Sequence, residues 1–193
     1  MKNIDFLGCK KDNTKLDTRK EGNRVSLVTE VNFEVVDPEN ADLRELITFL
    51  DEELKIRYPH ETIYVVDFED PKVKEMTFVV AYLNGKPVGC GGLRPLDFIG
   101  IEIPTMELKR FYVDSSYRKM GIATNMLLFL EAQAITAGFK EIRLETGIKQ
   151  PEAIALYVKH GYQPIDLFGP YIGDPDSLCY GKILDVDTLP ESF

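Results

Sequence analysis

Basic residues are in short supply in this sequence: 23 Lys and Arg stand against 32 Asp and Glu, for a net charge of −9. A chain whose affinity rested on neutralising nucleic-acid phosphates or an anionic membrane surface would carry the opposite balance, so neither nucleic acid nor membrane is expected as a partner. Long apolar runs are missing as well. No stretch is long enough to span a bilayer, and residues 1–24, rich in Lys, Asp, Asn and Thr, lack the apolar core of a signal peptide. Cysteine is scarce and scattered: Cys9, Cys90 and Cys179 are odd in number and free of C-x-x-C pairing, which argues against a disulfide framework or a thiolate zinc site. Histidine is limited to His60 and His160, whose spacing to acids and cysteines suits no metal. His160, just before Gly161, reads instead as a helix-end residue that complements the dipole. These absences together lead to the expectation of a cytoplasmic protein without a metal.

What is present suffices for one domain. The chain has 193 residues, 44% of them hydrophobic, within the size over which a single core forms without covalent staples. Residues 1–28 read as a mobile arm and 29–193 as the domain, with no internal repeat or linker. Residues 31–36 largely alternate apolar and polar and meet Asp37-Pro38, a strand ending in a turn. Asn40 then caps a helix whose Leu43, Leu46, Ile47, Leu50 and Leu54 share a face, and Tyr58-Pro59 stops it. Residues 60–76 are acidic and weakly patterned, compatible with a short second helix and a loop. Thr77 to Leu83 is a β-branched and aromatic run, and Asn84-Gly85 suits the positive φ angles of a tight hairpin. The returning strand, Pro87 to Leu93, holds Gly89, Gly91 and Gly92, which points to a bulge or a close backbone approach.

A long strand follows, from about Pro104 to Val113. Helical spacing resumes at Gly121, with Ile122, Met126, Leu130 and Ala134 on one face and Gly138 as terminator. Glu141 to Glu145 reads as a short strand, and Pro151 opens a helix with Ile154 and Val158 on one face and Gly161 at its end. A last strand lies near Leu178 to Leu184.

Between the long strand and the helix after it runs Arg118-Lys119-Met120-Gly121-Ile122-Ala123. The first amides of a helix lack partners within it and concentrate positive potential there, so the order strand, glycine loop, helix makes an anion site. Gly121 lets the backbone approach a pyrophosphate, Ala123 is too small to obstruct it, and Arg118 and Lys119 add positive charge. The same residues also read as a plain helix entry with a surface arginine. Neither G-x-x-x-x-G-K-[ST] nor G-x-G-x-x-G occurs, which argues against a nucleotide ligand.

Around this loop the sequence resembles the GNAT superfamily of N-acetyltransferases, from about Val31 to Asp187. The resemblance is most specific in Met106-Glu107-Leu108-Lys109-Arg110-Phe111-Tyr112-Val113, in Tyr117 to Ala123, and in Ala155-Leu156-Tyr157-Val158-Lys159-His160-Gly161-Tyr162. Arg118, Gly121 and Ala123 meet the family's loop signature of Gln or Arg, two residues, Gly, one residue, then Gly or Ala. The resemblance implies an α/β (α+β) fold: a mixed, mostly antiparallel sheet of six or seven strands flanked by about four helices. It implies an enzyme, a transferase that moves an acetyl group from acetyl-CoA to a primary amine of a small molecule such as an amino acid or related metabolite, without a metal. Many relatives pair as homodimers. Acetyl-CoA would lie where two neighbouring parallel strands splay apart. Phe111, Tyr112 and Val113 would offer backbone groups to its pantetheine arm and acyl carbonyl. Arg118, Lys119, Met120, Gly121, Ile122, Ala123 and Thr124 would hold the pyrophosphate. Many relatives place an asparagine near the start of the last helix; Gln150-Pro151-Glu152 stands here, and Gln150 is either a substitute or a helix cap.

Amine attack on a thioester needs a deprotonated nucleophile, a polarised carbonyl and a proton for the departing thiolate. An alkyl amine, with a pKa of about 10, is mostly protonated at neutral pH. The resemblance offers Glu107 as the base, directly or through water; the alternative is a carboxylate paired with Lys109. It offers Tyr157 as the acid that gives a proton to the CoA sulfur, the alternative being an aromatic beside Ile154 that fills core space. Arg94, Arg110, Glu145 and Tyr171 are expected to border the amine side, where an arginine would favour a substrate carboxylate. Glu145-Thr146-Gly147 with Phe168-Gly169-Pro170-Tyr171 resembles a small-molecule subgroup of the family. The competing class is a catalytically idle acyl-CoA-binding sensor or regulatory module, which would keep the loop; Glu107 and Tyr157 together favour the enzyme.

Overall fold

A computed structural model describes residues 12–15, 30–58, 63–97 and 101–185. In chain order the elements are β1 (Asp12–Lys15), β2 (Glu30–Val36), α1 (Ala41–Arg57), β3 (Thr77–Leu83), β4 (Lys86–Pro95), β5 (Thr105–Val113), α2 (Ile122–Thr136), β6 (Glu141–Gly147), α3 (Pro151–Lys159), β7 (Gln163–Ile165) and β8 (Ser177–Ile183). All eight strands join one sheet in the order β1-β2-β3-β4-β5-β6-β8-β7. Every neighbouring pair is antiparallel except β5 and β6. Seven of these strands fall in residues 29–193, as the resemblance implies; the eighth, β1, lies N-terminal to them and pairs with β2.

Local chemistry sets most of these boundaries. Asn40 accepts a hydrogen bond from the Leu43 amide at 2.9 Å and starts α1, whose Leu43, Leu46, Ile47 and Leu50 are buried. At the β3–β4 hairpin Asn84 and Gly85 both take positive φ, 50° and 79°, as the dipeptide suggested. In place of a second α-helix before β3 there is a 3₁₀ turn, Pro71–Glu75, opened by Asp70 accepting from the Lys72 amide. Among the described residues the α-helices therefore number three, where about four were expected.

Both faces of the sheet centre are covered, so β3 is buried almost throughout instead of alternating. Phe78 and Val80 point to α1, where they meet Leu43, Leu46 and Cys90. Val79 and Ala81 belong to the opposite core with Met126, Leu127 and Leu130 of α2. The β4 glycines mark close approaches: a Cβ on Gly91 would come within 2.9 Å of Leu130 Cδ1, and one on Gly92 within 2.9 Å of Phe78 Cδ1. Two bulges accompany them: β4 carries an extra residue, Val88, opposite Ala81 and Tyr82 of β3, and β5 carries one opposite Cys90 to Gly92, where Arg110 adopts φ 55°.

Two readings need correction. Val158 does not share the inner face of α3 with Ile154; it is 53% exposed, and the buried residue is Tyr157, three positions on from Ile154. β7 was not foreseen, because three residues are too few to show a strand period. Cys9 and His60 lie outside the described residues.

Cys90 and Cys179 are free and buried, and burial pushes their thiols up to about 12 and about 11. Neither presents a thiolate at pH 8. Alkylation of the native protein with peptide mapping by mass spectrometry is expected to leave both unmodified, and to label both once the chain is unfolded in urea.

Candidate active site

The site opens where β5 leaves β6. Their parallel pairing runs only from Thr105↔Glu141 to Leu108↔Leu144, although β5 continues to Val113 and β6 to Gly147. Beyond Leu108 the bulge at Arg110 bends β5 away. That guanidinium is buried, paired with Asp51 of α1 and donating to the Tyr64 carbonyl, while the Cys90 thiol donates to the Arg110 carbonyl at 3.4 Å. Left-handed backbone on a non-glycine residue costs roughly 1–2 kcal/mol, and these contacts hold it in place. The splayed strands enclose a cleft of about 680 Å³.

One half of the cleft is formed by Phe111, Tyr112 and Val113, by Arg118, Lys119, Gly121, Ile122, Ala123 and Thr124, and by Ala153, Leu156 and Tyr157. All the residues expected to meet a cofactor are here except Met120, which is 43% exposed and off the lining. α2 starts at Gly121, φ 82°, without a side-chain cap, so its first amides face the cleft with no side-chain acceptor of their own. Arg118 is more than a flanking charge: its Nε donates to the Val113 carbonyl at 2.8 Å and its Nη2 pairs with Glu53 of α1 at 2.5 Å. The loop is thereby tied to the end of β5.

Tyr157 stands on α3 with its ring 6.2 Å from that of Phe111 and 5.7 Å from that of Tyr162. Burial first, then the charge of Glu145, raises its pKa, so the phenol keeps its proton across the physiological range. Gln150 is not a side-chain cap for α3. Its Oε1 accepts from the Gly147 amide at 3.0 Å and the Thr146 hydroxyl at 3.3 Å, stitching the turn after β6. His160 also differs from expectation: burial lowers its pKa, which keeps the imidazole neutral at pH 7, and Nε2 lies 3.3 Å from Thr124 Oγ1, joining α3 to α2.

The other half of the cleft is acidic and aromatic, with Tyr58, Tyr64, Glu145, Tyr171, Asp174 and Asp176 on its lining. Glu107 is buried beside it but does not line it. It takes hydrogen bonds from Arg94 and the Tyr171 hydroxyl and lies 3.5 Å from Lys109 Nζ, which itself donates to Tyr171 Oη at 2.8 Å. Arg94 is spent on Glu107 and Arg110 on Asp51, so neither guanidinium presents its fork to a substrate carboxylate as the sequence suggested. Glu145 accepts from the Ser177 hydroxyl at 2.8 Å, and burial raises its pKa.

Sequence reasoning missed Tyr58, Tyr64 and Asp174. Tyr58 read only as a helix stop, and no pattern marked Tyr64 or Asp174 for the site. Their placement depends on distant contacts: Tyr58 Oη accepts from the Lys149 amide at 2.9 Å, and Tyr64 Oη donates to Asp174 at 3.0 Å.

Residues 42–162, more than half of the chain, match the family model for the acetyltransferase (GNAT) family. The chain belongs to the GNAT acetyltransferase family. This GNAT protein is 36% identical over 140 residues to the IAA acetyltransferase of Azospirillum brasilense, an alignment that covers 72% of the chain and 89% of that protein. It is 29% identical over 146 residues to YsnE of Bacillus subtilis, an uncharacterised N-acetyltransferase, covering 73% and 93%. Among solved structures, a Klebsiella pneumoniae chain provisionally assigned as an acyl-CoA N-acyltransferase superposes with a TM-score of 0.68 at 31% identity, over 80% of this chain and 98% of that one. The protein is an acyltransferase with the GNAT fold.

Tyr171 Oη bridges Lys109 and the buried Glu107 carboxylate. Tyr171→Phe leaves both without that partner and is expected to destabilise the fold by about 1–3 kcal/mol. Urea unfolding of the two proteins measures the difference.

Proposed function

We propose that the protein transfers the acetyl group of acetyl-CoA to the primary amine of a small molecule by direct attack on the thioester. The observation that carries this reading is the continuity of the cleft: an uncapped helix start and a strand edge at one end, a half-enclosed acidic and aromatic chamber at the other, and Tyr157 between them. The residues present fit acetyl-CoA. The α2 amides at Ala123 and Thr124 suit a pyrophosphate, and Gly121 has no Cβ to keep it away. The β5 backbone at Phe111 to Val113, which β6 no longer pairs, suits the amide groups of a pantetheine arm.

Tyr157 is held where a phenol serves as a proton donor to the leaving sulfur, since its raised pKa keeps that proton available. Glu107 does not reach the cleft and acts at second hand, fixing Tyr171 and Lys109 at the acceptor end. The walls of Tyr58, Tyr64 and Tyr171 favour a small acceptor, and the carboxylates among them favour a cationic one. A cytoplasmic setting accords with free Cys90 and Cys179. Among the described residues no helix is long and apolar enough to cross a membrane.

Calorimetry with acetyl-CoA tests the reading at its base, because absence of binding at millimolar ligand would remove it. Given binding, Tyr157→Phe is expected to lower kcat about 10²-fold or more with little change in acetyl-CoA affinity. Gly121→Val should show the reverse pattern, a weaker Kd, since a β-branched residue resists the left-handed backbone at that position.

A further inference from the structure

We propose that Glu145 is the proton acceptor for the substrate ammonium, a role that rests on the acetyl-transfer reading above. The last paired residues of the parallel strands are Leu108 and Leu144, so Glu145 is the first residue of β6 past the fork, and its side chain lines the cleft that opens there. Tyr157 lines the same cleft from α3, close enough for the Glu145 charge to raise its pKa. Acid and base thus flank the point where the strands part.

Of the other carboxylates on the lining, Glu53, Glu152 and Asp174 are occupied, and Asp176 lies before β8, beyond the last β6 residue Gly147 and so further from the fork than Glu145. Glu53 is paired with Arg57 and Arg118. Glu152 is paired with Arg57, which holds its pKa down. Asp174 accepts from the Asp176 amide and the Tyr64 hydroxyl and shares the one Ser177 proton with Glu145, and its pKa is likewise lowered, which makes it a poor proton acceptor. Glu107 is off the lining. Glu145 differs because desolvation outweighs its Ser177 hydrogen bond. Lys109 of β5 opposes the upward shift, while Asp174 and Glu107 reinforce it. The remaining titratable groups that feel its charge are the phenols of Tyr58, Tyr64, Tyr157 and Tyr171 and the Cys179 thiol. All five keep their protons near neutral pH. A base whose pKa is raised toward the operating pH accepts a proton more readily than an ordinary carboxylate.

An N–H bond of the ammonium breaks, and its proton forms an O–H bond on Glu145. The freed lone pair adds to the thioester carbonyl carbon. As the C–S bond breaks with its electron pair on sulfur, Tyr157 protonates the thiolate and is restored by the second proton of the nitrogen. Glu145 then returns its proton to solvent, so each turnover yields an amide, a free thiol and one proton.

The test compares wild type with Glu145→Gln over pH from about 6 to about 10, the range in which an alkyl amine titrates. Thiol release is measured with acetyl-CoA and a panel of an aliphatic diamine, an arylalkylamine and an amino acid amide, and acetyl-CoA affinity is measured by calorimetry. Glu145→Gln should bind acetyl-CoA normally, and its kcat/KM for the amine should fall about 10²-fold or more at pH 7. The deficit should narrow as pH rises, because the variant depends on amine already neutral in solution. Glu145→Asp should recover part of the rate. A wild-type pH profile in Glu145→Gln, or a deficit that is the same at every pH, overturns the assignment and leaves acetyl transfer standing. Failure of the wild type to acetylate any amine of the panel overturns the acetyl-transfer reading and this one with it.

Discussion

The site depends on a buried guanidinium holding β5 out of line. Arg110 carries a backbone conformation that a side chain resists, and its charge is withdrawn from water. Either alone would favour a regular strand. Asp51 and the Tyr64 carbonyl reverse the balance by giving the guanidinium a charged and a neutral acceptor, and an unpaired buried charge would be far costlier than the strain. Because Asp51 lies on α1, the same contact fixes that helix against the strand it deforms. The parallel pairing can then extend no further than Leu108 and Leu144, and the gap beyond becomes usable space.

Much of this architecture was legible in the sequence because it is governed by local chemistry. The Asn40 cap, the Asn84-Gly85 hairpin, the Gly121 helix entry and the Gly138 and Gly161 terminators each follow from what one or two residues permit. Periodicity located α1 and α2 because each lays a broad face on the sheet. It failed on α3, whose short span covers a cleft edge and buries little besides Tyr157. β7 escaped notice for want of length. The β4 glycines pointed to a bulge, and β4 has one at Val88 beside Gly89; the second bulge, across the ladder in β5, belongs to Arg110 and had no such local signal.

The acceptor end was less legible, for a different reason. Sequence shows which side chains carry charge and not which charges cancel. Arg94 and Arg110 looked like ligands for a carboxylate, yet both are neutralised by partners 13 and 59 residues away. Glu107 looked like a base by its place on the strand, yet the ladder turns it into a pocket of donors. The chain Lys109 to Tyr171 to Glu107, closed by Arg94, makes a rigid floor out of four residues whose separate roles no local pattern announces.

Tyr58 carries a constraint of another kind. Its hydroxyl lies where a β-carbon on residue 147 would have to be, 2.0 Å from that point, so the phenol and Gly147 occupy complementary volumes. The residue that ends α1 is thus also the lid over the end of β6. The two positions are therefore coupled: a larger residue at 147 requires the phenol at 58 to swing aside or be lost, and either change would widen the chamber in which the acceptor sits.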